Sequence, residues 1–310
     1  MPTVPNTIGA WARRRAGGEI TEVRDAARRR TGSRVWELTR ADGARFFLKV
    51  APTPDRYTRE THAYRHAVPA LGHAHAPVLV DSDPARLALL LTAVPGTHAA
   101  APAPGRDART DRAHRADRTD STERYRQAGR LLRRLHDACD AATAGGTDRW
   151  AAGRYAAVER QVAALSHAGA LGDAERRFVL DRAALLHLLP PLPAAFLHGD
   201  LDAHHLLWDA AGPRLALVGF AQARRGCAAE DLVRMAYGPW QRDRGLRAAF
   251  LRGYGRELTD AERYALPTLA ALDAAGTMER GARHGDDAAV ARARGVIGAL
   301  REGAGAGARV

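Results

Sequence analysis

The chain has 310 residues, enough for one large or two modest cores, and its 46% hydrophobic and 26% charged residues match a globular fold. No apolar run approaches the ~20 residues that cross a bilayer, and no basic-then-apolar signal opens the sequence, so no membrane partner and a cytoplasmic location are expected. Two distant cysteines, Cys139 and Cys227, exclude a disulfide framework, and a formal charge of +12 on scattered arginines with only 6% aromatics argues against nucleic acid.

The first predicted elements are strands at 34–39 and 45–51, joined by Arg40-Ala41-Asp42-Gly43-Ala44, where Asp-Gly between two β-rich runs signals a hairpin. Pro52 and Pro54 stop the second strand, a helix is expected from about Arg56 to Ala67, and two further strands at 77–81 and 86–93. Residues 97–122 turn Ala/Pro-rich and then alternate Asp, Arg and Thr, which reads as a solvated linker. Helices follow at about 123–141, 148–167, 173–188, 228–237, 243–255, 259–275 and 285–302, interrupted by short strands at 204–208 and 214–218. The expected organisation is an N-terminal sheet lobe over 1–96, the linker 97–122, a helical C-terminal lobe over 123–303 and a frayed tail from 304 to 310. The last helix caps the C-terminal lobe or offers a surface to a protein partner.

One residue stands out by composition. Of the 47 basic residues, 46 are Arg, and Lys49 is the only lysine. A compact ammonium suits a tight phosphate site in a way that a planar guanidinium does not.

The densest chemistry lies in Phe196-Leu-His-Gly-Asp-Leu-Asp-Ala-His-His-Leu-Leu-Trp208, followed by Val218-Gly219-Phe220 and Gly226-Cys-Ala-Ala-Glu-Asp-Leu232. These blocks and their spacing resemble the catalytic segment of the aminoglycoside-phosphotransferase and choline-kinase-like family. The resemblance implies an α+β, two-lobed protein-kinase-like fold, with a small sheet lobe carrying one helix and a larger helical lobe. It further implies transfer of phosphate from ATP or GTP to a hydroxyl of a small molecule or peptide natural product, in antibiotic resistance or biosynthetic tailoring. Asp200 then orients the acceptor hydroxyl, His198 braces the loop and Asp231 ties the following helix back. Lys49, paired with Glu60, contacts the α- and β-phosphates. Gly32-Ser33 lies over the phosphates, and the backbone of Thr92 and Val94 meets the adenine edge.

Three departures weaken the match. Gly219 stands where the family carries its metal-binding Asp, His205 replaces the catalytic-loop Asn, and Cys227 replaces a structural Asp. Mg²⁺ prefers hard oxygen ligands and imidazole is a poorer match, so either a carboxylate of Asp202, Asp209 or Glu230 takes over the metal, or His205 holds it weakly or atypically with water and phosphate oxygens completing the shell. Restoring a carboxylate by Gly219→Asp is expected to strengthen metal-dependent nucleotide binding. The alternative is a catalytically impaired pseudokinase that binds nucleotide or a partner without turnover. A metallohydrolase built on His198, Asp200, Asp202, His204 and His205, with His73 and His75 as a second cluster, gives no role to Lys49 or Glu60.

Overall fold

A computed structural model describes residues 4–27, 32–98, 111–138 and 147–307. Along the chain these form α1 (Asn6–Ala16), β1 (Ile20–Asp25), β2 (Arg34–Arg40), β3 (Arg45–Val50), α2 (Pro54–His66), β4 (Leu79–Asp83), β5 (Ala88–Thr92) and β6 (Thr97–His98). Next come α3 (Asp111–Asp137), α4 (Thr147–His167), α5 (Asp173–Ala184), β7 (Ala194–Leu197), β8 (Leu206–Asp209), β9 (Arg214–Leu217) and β10 (Arg224–Cys227). The chain ends in α6 (Ala229–Ala236), α7 (Pro239–Arg242), α8 (Arg244–Tyr254), α9 (Asp260–His284) and α10 (Asp287–Gly307). The expected α+β class, with an N-terminal antiparallel sheet and a mostly helical C-terminal part, is what is observed.

Two compact units emerge: Met1–Cys139 with Phe196–Arg224 and Asp243–Arg256, and Asp140–Ala195 with Arg225–Arg242 and Glu257–Val310. Every candidate site residue named so far except Glu230, Asp231 and Cys227 falls in the first unit.

The first unit is built on a five-stranded antiparallel sheet of order β1-β2-β3-β5-β4. The expected β2–β3 hairpin is present. Gly43 turns it at φ 85°, a left-handed conformation that costs glycine little. Nε and Nη2 of Arg40 donate to the Asp42 carboxylate, at 2.8 and 2.6 Å, and with the Ala44 N–H they hold that carboxyl down at about 2.

Side chains alternate across a strand, so β3 presents Phe46 and Leu48 to one face and Phe47 and Lys49 to the other. Phe46 and Leu48 join Trp36, Leu38 and Leu90 in a buried cluster with Trp11 and Ala12 of α1. Lys49 sits in register between Val35 and Leu89. Helix α2 begins as the prolines dictate: Thr53 caps it by accepting from the Arg56 N–H at 3.3 Å, and Pro54 occupies the first turn, where no amide partner is needed.

Sequence reasoning missed α1, β1, the two-residue β6, β7, β10 and the four-residue α7. It also placed the start of α3 at 123, whereas the helix begins at Asp111. Residues 99–110 of the expected linker lie outside the described residues, while 97–98 are strand and 111–122 are helix. The expected frayed tail is helical as far as Gly307.

Helices α3 and α8 complete the first unit with their backbones almost touching. A Cβ added to Gly129 would lie 2.0 Å from the Phe250 carbonyl oxygen, and one added to Gly253 would lie 1.8 Å from that of Arg126. Nearby, His136 Nδ1 and the Tyr254 hydroxyl are hydrogen-bonded at 2.7 Å.

The second unit gathers α4, α5, α6 and α10 around the buried length of α9. Helix α9 starts with a capping box in which Thr259 and Glu262 satisfy each other's backbone N–H groups. Burial pushes the Asp273 carboxyl up, but Arg234, 3.0 Å away, and the further charges of Arg280 and Arg154 outweigh it, leaving Asp273 below the ordinary carboxylate range. Cys227 is buried, and that burial, together with the charge of Glu230, pushes its thiol up to about 12.

Candidate active site

Lys49 reaches from β3 to α2, where its Nζ donates to Glu60 Oε1 at 2.7 Å. The ammonium is 13% exposed and the carboxylate 1%. Oε2 of Glu60 is buried with no hydrogen-bond partner among the described residues. Burial, and then the negative charge of Glu60, push the Tyr64 phenol one turn further along α2 well above its ordinary value.

Tyr64 also connects the sheet to the loop that follows β7. Its ring meets Phe220 edge-on at 5.4 Å, and Phe220 lies 4.9 Å from the His198 ring. Lys49, Glu60, Tyr64, Phe220, His198 and Asp200 thus form one continuous series of contacts and chain neighbours within a single unit. Two further ties act in the same direction. His75 receives an N–H from Leu217 on its carbonyl at 2.8 Å and places its Nδ1 2.7 Å from the Leu215 carbonyl. Strand β6 pairs with β8 through Thr97 opposite Trp208 and His98 opposite Leu207.

The loop itself is fixed by its own residues. The Asp200 N–H donates to His198 Nδ1 at 3.3 Å, which leaves the ring proton on Nε2, where it is donated to the Val218 carbonyl at 3.0 Å. His198 is therefore a neutral brace spanning both arms of the loop. Gly199 adopts φ 76°, and a Cβ there would lie 2.1 Å from the Gln222 carbonyl oxygen, so only glycine lets the chain pass. Past this turn the Asp200 side chain remains 28% exposed.

His205 closes the loop. Its amide donates to the Asp202 carbonyl at 3.0 Å. Its Nδ1 lies 2.7 Å from the Asp200 carbonyl oxygen and 3.3 Å from Asp202 Oδ1, so Nδ1 carries a proton. Nε2 lies 3.9 Å from Asp200 Oδ2. Burial disfavours the charged ring, but the Asp202 hydrogen bond and the charges of Asp200 and Asp202 outweigh it and raise His205 above an ordinary imidazole.

The remaining expected site residues are placed as follows. Ser33 is buried just before β2. Thr92 ends β5 with its hydroxyl accepting from the Val78 N–H at 2.9 Å, and Val94 is buried just beyond. Glu230 and Asp231 belong to the second unit. There Glu230 accepts from Trp150 at 2.9 Å and pairs with Arg154 at 3.2 Å, and Asp231 is buried in the first turn of α6. Asp209 accepts the Ala211 N–H at 3.1 Å in the turn between β8 and β9.

The residues present do not supply the carboxylate at 219 through which the resemblance would hold a divalent metal. The space for a side chain at Gly219 is filled: a Cβ there would lie 2.3 Å from His205 Cδ2 and 2.7 Å from its Nε2, at a φ of 86°. No group of three or more His, Cys, Asp or Glu side chains among the described residues is arranged to hold a metal ion. Nor do the histidines meet in a second cluster, since His73 and His204 are exposed and His75 is bonded to β9. Sequence reasoning missed Tyr64, Phe220 and the contact of His205 with Gly219. Only Gly219 itself, an unexpected residue in a matching block, hinted at the last.

Compared with known proteins, the sequence matches the family described as APH, phosphotransferase enzyme family, over residues 26–267. No curated protein matches it significantly by sequence. Among solved structures it is similar to the gentamicin complex of APH(2")-IIa, at 14% identity and a TM-score of 0.65, covering 96% of this chain and 97% of the other. It is similar to macrolide 2'-phosphotransferase type I, at 17% identity and a TM-score of 0.63 over 96% and 99%. It is likewise similar to a thermostable mutant of aminoglycoside phosphotransferase APH(4)-Ia in ternary complex with ADP and hygromycin B, at 14% identity and a TM-score of 0.63 over 95% and 98%. At these identities the likeness establishes the kinase-like fold, as the catalytic-segment motifs predict. Because the family match takes in well over half of the sequence, the chain belongs to the phosphotransferase enzyme family.

Proposed function

We propose that the protein binds a nucleoside triphosphate, ATP or GTP, and transfers its terminal phosphoryl group to a hydroxyl of a small molecule or peptide natural product in the cytoplasm. The observation that carries this is the 2.7 Å Lys49–Glu60 ion pair, joined through Tyr64 and Phe220 to the braced loop that exposes Asp200. Phosphoryl transfer asks a protein mainly for positioning and charge. Lys49, aimed by Glu60, meets the phosphate oxygens with its ammonium. Asp200 accepts a hydrogen bond from the acceptor hydroxyl and keeps that oxygen in line with the γ-phosphorus. Ser33, Thr92 and Val94 line the nucleotide, and no step is assigned to a metal.

Several acids of the last third already have structural work: Asp260 pairs with Arg263, Glu279 with Arg283, Asp273 with Arg234, and Glu262 caps α9. Nothing in these ion pairs requires the hydroxyl acceptor to be a polycation. A pseudokinase that holds nucleotide without turnover is the second reading, favoured by the filled space at Gly219.

The test is transfer from γ-labelled nucleotide to a panel of hydroxyl acceptors. Asp200→Asn should lose ~10²–10⁴-fold in kcat while still binding nucleotide. Lys49→Met should lose nucleotide binding. Nucleotide binding with no transfer to any acceptor would select the pseudokinase, and wild-type transfer by Asp200→Asn would remove Asp200 from the chemistry.

A further inference from the structure

Residues 205 and 219 are fourteen positions apart in sequence, yet they occupy one space. The Val218 N–H donates to the His205 carbonyl at 3.0 Å, continuing the β8–β9 ladder by one step and putting Gly219 beside the His205 ring. The ring is not free to swing away. Its Nδ1 is held at 2.7 Å by the Asp200 carbonyl oxygen, and its centroid lies 5.3 Å from that of the buried His198 ring, the two rings tilted by 48°. The missing side chain at 219 and the large one at 205 are therefore a single packing arrangement. As backbone and ring now stand, a Cβ at 219 and the imidazole at 205 compete for one space.

We propose that this exchange removes the metal requirement: the His205 imidazole takes the space of a position-219 carboxylate, and the chain binds nucleotide without a divalent cation. The inference rests on the nucleotide-binding role proposed above. It also corrects the expectation that Gly219→Asp alone would strengthen metal-dependent binding. That substitution drives a side chain into His205 at a left-handed φ and is expected to lower the melting temperature instead.

Two measurements test it. The first is calorimetric titration of the full chain with a non-hydrolysable ATP analogue, in Mg²⁺ and in EDTA. Affinities within about threefold of each other are expected for the wild type, and a loss of about tenfold or more for His205→Asn/Gly219→Asp when Mg²⁺ is withdrawn. A wild-type affinity that falls about tenfold in EDTA would overturn the metal independence while leaving nucleotide binding intact. No binding in either buffer would overturn both, and a double variant indifferent to Mg²⁺ would sink the proposed exchange of space.

The second measurement needs no ligand. In a cycle of Gly219→Ala, His205→Ala and the pair, followed by thermal melting, the alanine at 219 should cost clearly less when His205 is already truncated. Equal cost in both backgrounds would show that the two positions are independent and would end the proposal.

Discussion

Lys49 is gripped by a carboxylate with only one satisfied oxygen, Oε1 at 2.7 Å, its twin being buried and unbonded among the described residues. Such a pair is a poor source of stability but a costly thing to break. Lys49→Met should therefore destabilise the fold by about 3–5 kcal/mol in urea unfolding, because Glu60 is left as an uncompensated buried charge. Lys49→Met/Glu60→Leu should recover most of that without recovering nucleotide binding. Equal stability of Lys49→Met and wild type would mean that Glu60 does not depend on this partner. At this scale much was legible. A lone lysine after an Asp-Gly hairpin, a Glu on the next helix, and His-Gly-Asp before a strand each carry a local reason. What the residues did not disclose was His205 against Gly219, since that contact exists only once β8 and β9 have paired.

Among the elements, the pairing of α3 with α8 has the tightest tolerance, because Gly129 and Gly253 let the two backbones meet. Alanine at either position must push the helices apart or distort them. Each of Gly129→Ala and Gly253→Ala should cost about 1–3 kcal/mol in equilibrium unfolding, although alanine is the better helix former. A stabilising outcome at either site would mean that the crossing is looser than described. Strands β2, β3 and β5 were legible from β-rich runs and turn residues. Strand β1 was not, because it is an edge whose side chains are almost all exposed, so no alternation marks it. The early turns of α3 were hidden for a related reason. Residues 111–122 offer hardly any apolar stripe, and the Arg124–Asp120 pair at 2.7 Å, four residues apart, shows the charge pattern that supports a helix there instead.

For the whole molecule, the contacts join residues 196–224 and 243–256 to the N-terminal sheet, a grouping absent from the expected division at 97–122. The ties responsible, His75 to β9 and β6 to β8, are long-range hydrogen bonds with no local signature. The same scale governs acid sensitivity. Asp273 titrates below an ordinary carboxyl because the nearby arginines outweigh its burial. Its contribution to stability is therefore complete above the unfolded value, near 4, and is lost as pH falls through the lower folded value. Asp273→Asn should remove about 1 kcal/mol at pH 7 and flatten the acid limb of the urea midpoint measured from pH 7 to pH 3. An acid limb as steep as that of the wild type would assign the loss to other groups. The chain's arginine bias has one more consequence. Apart from the α-amino group, an acylating reagent has a single amine to find, and it lies in the ion pair with Glu60. Whatever shields that amine slows one modification at one peptide, so a mass spectrometer can read occupancy there without any engineered reporter.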